Sequence, residues 1–348
     1  MGRTIFLLAT AVILLQSAGG VQHVALAQAA APAVRAAAGR WVVPRTPWGD
    51  PDLQGDYTNK YEQGTPFERP EEFEGRRLED VKGEELAELI KERGVQVILN
   101  APFSGDPLGG NFGGAPAFYD QYEAHKGSRP WFVIDPPEGR IPPLTARARE
   151  RQAARAKARA DARRGRGPSD SYTDHSLYDR CITRGMPGSM MPTNYGNSYT
   201  IVQAPGIVAI RYEMIHETRV IPLDGRAPLA RGIAQYTGDA RGRWEGDTLV
   251  VETTNFRPEN VYRDANPATF RLVERFTRTA ADKVEWAVTI DDPETWTRPW
   301  TFSMPLTMNP AERVMEYACH EGNRALENML SAARADERAA RERPSSSR

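Results

Sequence analysis

Two His-Glu pairs and two cysteines carry most of the reactive chemistry in this chain: His216-Glu217, His320-Glu321, Cys181 and Cys319. A helical zinc protease motif needs a second histidine four positions after the first, and those positions hold Val220 and Arg324, so neither pair fits it. A zinc or copper site assembled across the fold from His175, His216 and His320 stays open, with the thiolates as further ligands if they are not bridged. No motif for an organic cofactor is visible, and none is expected. Ser189 in MPGSMMP lies on a Gly/Pro turn, but the G-x-S-x-G elbow of a serine nucleophile is absent, so it reads as a turn serine.

Acid–base chemistry is the better match to the remaining residues. In VAIRYEMIH, Val208, Ile210, Tyr212, Met214 and His216 alternate, which predicts one strand face carrying an imidazole inward. Partial burial keeps an imidazole neutral, as a general base requires. Glu274 shares a face with Leu272 and Phe276 in RLVERFTR. An inward carboxylate is costly unless paired, and a pocket raises its pKa toward the range of a general acid. His320 is expected to join His216 as a second acid–base group, with Glu274 nearby. Tyr212, Met214 and Trp286 on inward faces are expected to contact a ligand. Trp244 and Arg241 in DARGRWEGDTL would clamp it as an aromatic and cationic pair. The alternative for each is structural: a hydrogen-bonded core histidine, a salt-bridged glutamate, a capping His320 and a turn laced with ion pairs.

The elements that must position these groups are mostly strands. From Tyr199 to Thr301 the hydrophobic period is two, as in Val284, Trp286, Val288 and Ile290, with turn signals at Pro205-Gly206, Asp224-Gly225 and Gly246-Asp247. Short strands at this spacing predict an antiparallel β-barrel of lipocalin-like type, or a sandwich. Helices are expected at Glu84 to Arg93, ending at Gly94, and from Gly322 to about Arg343, fraying into PSSSR. WFVIDPPEGRIPPLT reads as a short strand followed by proline turns. The glycines between Pro102 and Pro116 read as a loop rather than a phosphate cradle. Trp296 and Trp300 in ETWTRPWT add aromatic surface, with Pro299 marking an edge or turn.

The first 27 residues, with Arg3, an apolar run from Ile5 to Leu15 and Ala25 and Ala27 in A-x-A spacing, predict a signal peptide and therefore a periplasmic or secreted protein. Residues 28–40 read as a flexible tether and 41–333 as a single β-rich domain, with 334–348 as a frayed tail. Export favours a Cys181–Cys319 disulfide. Basic and acidic residues nearly balance, 45 against 46, which gives no general attraction to nucleic acid. The exception is Arg147 to Arg166, with nine Lys/Arg against Glu150 and Asp161. This insertion, 146–167, is expected to be a solvated helix or disordered arm outside the core, with weak contact to an anionic membrane surface as its functional alternative.

RTPWGDPDLQG, IDPPEGRIPPLT, RCITRGMPGSMMP, YEMIHETRVIPLDG, RWEGDTLVVETTNF, DDPETWTRPWT and EYACHEGN together resemble an uncharacterised family of exported bacterial proteins. The resemblance spans most of Trp41 to Ala333 and implies no activity.

The residues alone therefore predict an exported, cofactor-independent enzyme that moves protons on a small organic molecule: an elimination, isomerisation, cyclisation or hydrolysis. A carrier of a small apolar or aromatic ligand and a structural or surface-interaction protein are the alternatives. Polarity inside the pocket separates them. An enzyme needs two or more ionisable groups close together there, whereas a carrier shows apolar walls with isolated polar anchors.

Overall fold

Alternation is clearest in the strand Lys283–Asp291, whose Val284, Trp286, Val288 and Ile290 are fully buried while the residues between them are exposed or half-buried. Burying a side chain of this size stabilises by about 1.5–3 kcal/mol, so one face of such a strand must find a core. The computed structural model describes residues 41–99, 127–162, 164, 166–167, 169–193, 198–308 and 313–342, without the side chains of 94–99. The expected signal peptide, tether and glycine-rich loop lie outside the described residues.

Ten strands form one antiparallel sheet: β1 Gly55–Thr58, β2 Val133–Asp135, β3 Ser198–Ala204, β4 Ile207–Tyr212, β5 Thr218–Pro222, β6 Asp239–Glu245, β7 Thr248–Thr254, β8 Arg271–Ala280, β9 Lys283–Asp291 and β10 Trp300–Met308. Their order is β5-β4-β3-β1-β10-β9-β8-β7-β6. Two meanders, β3 to β5 and β6 to β10, are thus joined through β1. Strand β10 is central: β9 lines one edge, while β2 and β1 share the other at its two ends. The mainly β fold with helical insertions agrees with expectation, but a single sheet replaces the sandwich alternative. The edge strands β5 and β6 share no backbone ladder, so the sheet is not closed as an ideal barrel would be. They meet through side chains instead. A Cβ added to Gly242 in β6 would stand 2.5 Å from Leu223 and 2.7 Å from Ile221, so the absence of a side chain there lets the two edges approach.

The strand expected to run through VAIRYEMIH ends at Tyr212. Glu213 donates its N–H to Ser198 O (2.9 Å), and Tyr212 donates to Glu217 O (2.8 Å). These bonds close a loop in which Ile215 and His216 take positive φ values of 64° and 45°. A β-branched residue rarely adopts that region, and nothing in the local sequence announces it.

The helices depart from expectation in informative ways. Helix α1, Gly83–Leu99, continues through Gly94, because one interior glycine costs only about 1 kcal/mol; Leu86 and Leu89 pack against Phe73, Val81 and Trp131. Helix α2, Ala146–Ala162, holds most of the basic insertion, and it is not apart from the core as expected. Thr145 caps it by accepting the Ala148 N–H (3.0 Å) while donating to Glu294 O (2.8 Å). Ala148 is fully buried, and Arg151 donates to Thr295 Oγ1 at 2.6 Å. Alanine's small size permits this close approach, so one turn anchors an otherwise solvated helix. Helix α3, Ala325–Glu342, buries none of its residues and ends where the helix expected to reach about Arg343 should.

Candidate functional site

Glu274 projects inward from β8 and is fully buried, as its alternation predicts. Its partner is Arg219 on β5, 4% exposed, which donates from Nη1 to Oε2 at 2.5 Å and from Nη2 to Oε1 at 3.1 Å. Trp286 on β9 donates its indole N–H to Oε1 at 3.1 Å. Burial opposes the Arg219 charge, but Glu274 and Tyr212 outweigh it, so the guanidinium is held above its ordinary pKa. Both carboxylate oxygens are engaged by fixed donors and no side is open to a substrate. Five strands separate β5 from β8 within the sheet, so the pair can meet only because the sheet curls. Its work is fastening. Tyr212, also buried, donates its hydroxyl to Met186 Sδ at 3.5 Å, and burial pushes its phenol well above the usual value. Met214 is buried beside the Tyr178 hydroxyl (3.6 Å). Tyr212, Met214 and Trp286 are therefore core residues, not walls of an open pocket. The same holds for Trp296 and Trp300, which pack edge-to-face at 5.8 Å.

The two histidines lie elsewhere. His216 is exposed at the end of the β4–β5 loop, its Nδ1 3.0 Å from Tyr317 O. His320 is also exposed. Its segment is a pair of turns rather than a strand, closed by Cys319 N to Tyr317 O and Glu321 N to Ala318 O. Neither histidine lines a described cleft. Cys181 and Cys319 are bridged, with a Cα–Cα distance of 5.6 Å, so they offer no thiolate to a metal. Among the described residues no group of three or more metal-ligating side chains comes together; His175 is half-buried.

Arg241 and Trp244 form no clamp, because residues three apart on a strand face opposite sides. Arg241 pairs with Asp239 at 2.6 Å, whereas Trp244 packs against the core from the other face. Ser189 is buried.

A cleft of about 720 Å³ opens where β7 ends and β8 begins. Phe256 and Phe270 form its floor, with ring centroids 4.9 Å apart and both nearly fully buried. Pro228, Pro258, Pro267 and Pro293 supply walls from three connections, β5–β6, β7–β8 and β9–β10, the second giving two of them. Asn255 holds one wall in place by donating to Leu229 O at 2.8 Å, while its own carbonyl accepts the Gln235 N–H at 2.9 Å. Asn255 has φ 55°, a conformation asparagine tolerates better than most residues. The other wall is tied by buried Asp292, which accepts from Asn266 N (2.7 Å) and Thr269 Oγ1 (2.6 Å). The lining holds two cations, Arg231 and Arg271, and no carboxylate or imidazole. Arg271 is neutralised by Asp291 at 2.7 Å and Glu252 at 3.4 Å. Among the described residues, the Arg231 guanidinium donates to Ala268 O alone, at 3.3 Å.

Comparison with family models, curated proteins and solved structures finds no match for this chain. The cleft's chemistry thus rests on its own residues. Sequence reasoning missed every one of them, because prolines at 228, 258, 267 and 293 read individually as loop punctuation. It named Glu217 only beside His216 and overlooked its setting, half-buried against Thr183 Oγ1 at 2.8 Å and pushed upward in pKa by burial. A second overlooked carboxylate, Glu62, is raised by burial although Ser128 and Arg129 oppose the shift. Arg129 in turn bridges Glu285 (3.0 Å) and Ser303 O (2.9 Å), which fastens the start of the 127–129 segment to β9 and β10.

Proposed function

We propose that this chain is an exported binding protein for a small apolar or aromatic molecule, held in the cleft at the β7–β8 end of a barrel-like, lipocalin-like curled sheet. The observation that carries this reading is the lining: proline, alanine and phenylalanine walls with a few separated polar anchors, and no acid–base pair. The volume lies within the range that takes up small organic ligands. Barrel-like curvature is supported by the Arg219–Glu274 pair, which crosses the interior, and by the side-chain approach of β5 and β6. Export is supported by the leader-like sequence and by the Cys181–Cys319 bridge, which belongs to oxidising compartments. The proton-transfer reading is less well supported, because its expected base, His216, is exposed and its expected acid, Glu274, is held by Arg219. Contact with an anionic surface through α2 is weakened in the same way, because Arg147 pairs with Glu294 (2.8 Å), and Arg155 and Arg159 face Asp264 (3.6 and 3.9 Å).

A neutral aromatic probe tests the reading. Methyl 2-naphthoate should bind the folded protein with a saturable heat of binding. Ala268 is exposed on the cleft lining, so Ala268→Trp should fill the space, leave the melting temperature nearly unchanged and weaken the probe about tenfold or more. Undiminished binding by that variant would place the ligand elsewhere.

A further inference from the structure

Arg231 is the one cation of the cleft lining with no acidic partner among the described residues. Its neighbour Arg271 shows what a compensated guanidinium looks like here, held between Asp291 and Glu252. Arg231 engages a single carbonyl, Ala268 O, across the cleft mouth. A guanidinium carries five N–H donors in a planar fork matched to a carboxylate, so most of its donors remain for an incoming group. No carboxylate in the lining competes for it or repels an anion. Apolar walls below and one uncompensated fork at the rim define an amphipathic ligand.

We infer that the cleft takes an aromatic carboxylate, its ring against the proline and phenylalanine walls and its carboxylate on Arg231. This deepens the binding-protein reading and rests on it. Carboxylates and guanidinium groups form paired, charge-assisted hydrogen bonds that are stronger than neutral ones. Specificity for an acid over its neutral ester then comes from one residue.

The experiment compares 2-naphthoate with methyl 2-naphthoate by isothermal titration on the full chain and on Arg231→Gln and Arg231→Lys. 2-Naphthoate should bind the unaltered protein more tightly than the ester, and added salt should weaken it. Arg231→Gln should weaken 2-naphthoate about 10- to 100-fold, the loss of a charge-assisted pair, and leave the ester within about twofold. Arg231→Lys should fall between. Arg231 is exposed, so both variants should melt with the unaltered protein. If both probes bind and Arg231→Gln changes neither, or if only the ester binds, the carboxylate assignment is overturned while the cleft reading stands. If neither probe binds the unaltered protein, the cleft reading falls and takes this inference with it.

Discussion

Glu274→Ala should lower the stability of the protein by about 3–5 kcal/mol, because it leaves Arg219 charged, buried and without its counter-ion. Urea unfolding with a cooperative readout measures the loss. Replacing both partners with apolar residues of similar volume, Arg219→Met with Glu274→Leu, should recover most of it, since well-packed apolar groups often match or exceed a buried ion pair. The contrast is diagnostic. A fastening pair is judged by the single variant, which strands a charge, and by the double variant, which strands only the neutral Trp286 indole N–H. A small effect of Glu274→Ala would mean that β5 and β8 are held together by packing alone.

The disulfide gives the second large effect. Cys181 and Cys319 are 138 residues apart in sequence, and a bridge closing so long a loop contributes up to about 4–5 kcal/mol in the chain-entropy model. The double variant Cys181→Ser with Cys319→Ser should therefore lose about 2–5 kcal/mol and show a clearly lower melting temperature. Thiol titration of the unfolded, unreduced wild-type chain should find no free thiol. Two free thiols, or a double variant as stable as the wild type, would remove the bridge from the account.

Which parts of this molecule could be read from its sequence follows from the range of the signals. Strand β9 was legible because its alternation is local and unbroken, and the same pattern put Glu274 inward. Arg219, the other half of that pair, was not legible, because the contact crosses five intervening strands and leaves no trace in spacing. His216 was misplaced for the opposite reason: its parity continues that of Val208 to Tyr212, while the backbone turns away at Ile215. The Arg241–Trp244 clamp should have failed on parity alone. Helix α2 was underestimated because alanine adds little apolar area, although a small side chain is what allows a close approach at Ala148. The cleft was invisible since its walls come from loops far apart in the chain, and short loops record turn chemistry rather than the surfaces they will share.

The central claim is that ligand chemistry sits in the proline-walled cleft and not at the histidines. Backbone amide NMR during titration with 2-naphthoate tests it most directly. Saturable shift changes should centre on Thr254, Asn255, Phe256, Thr269, Phe270 and Arg271, which line the cleft, and should spare the residues around His216 and His320. Changes centred on those histidines, with the cleft silent, would contradict the account.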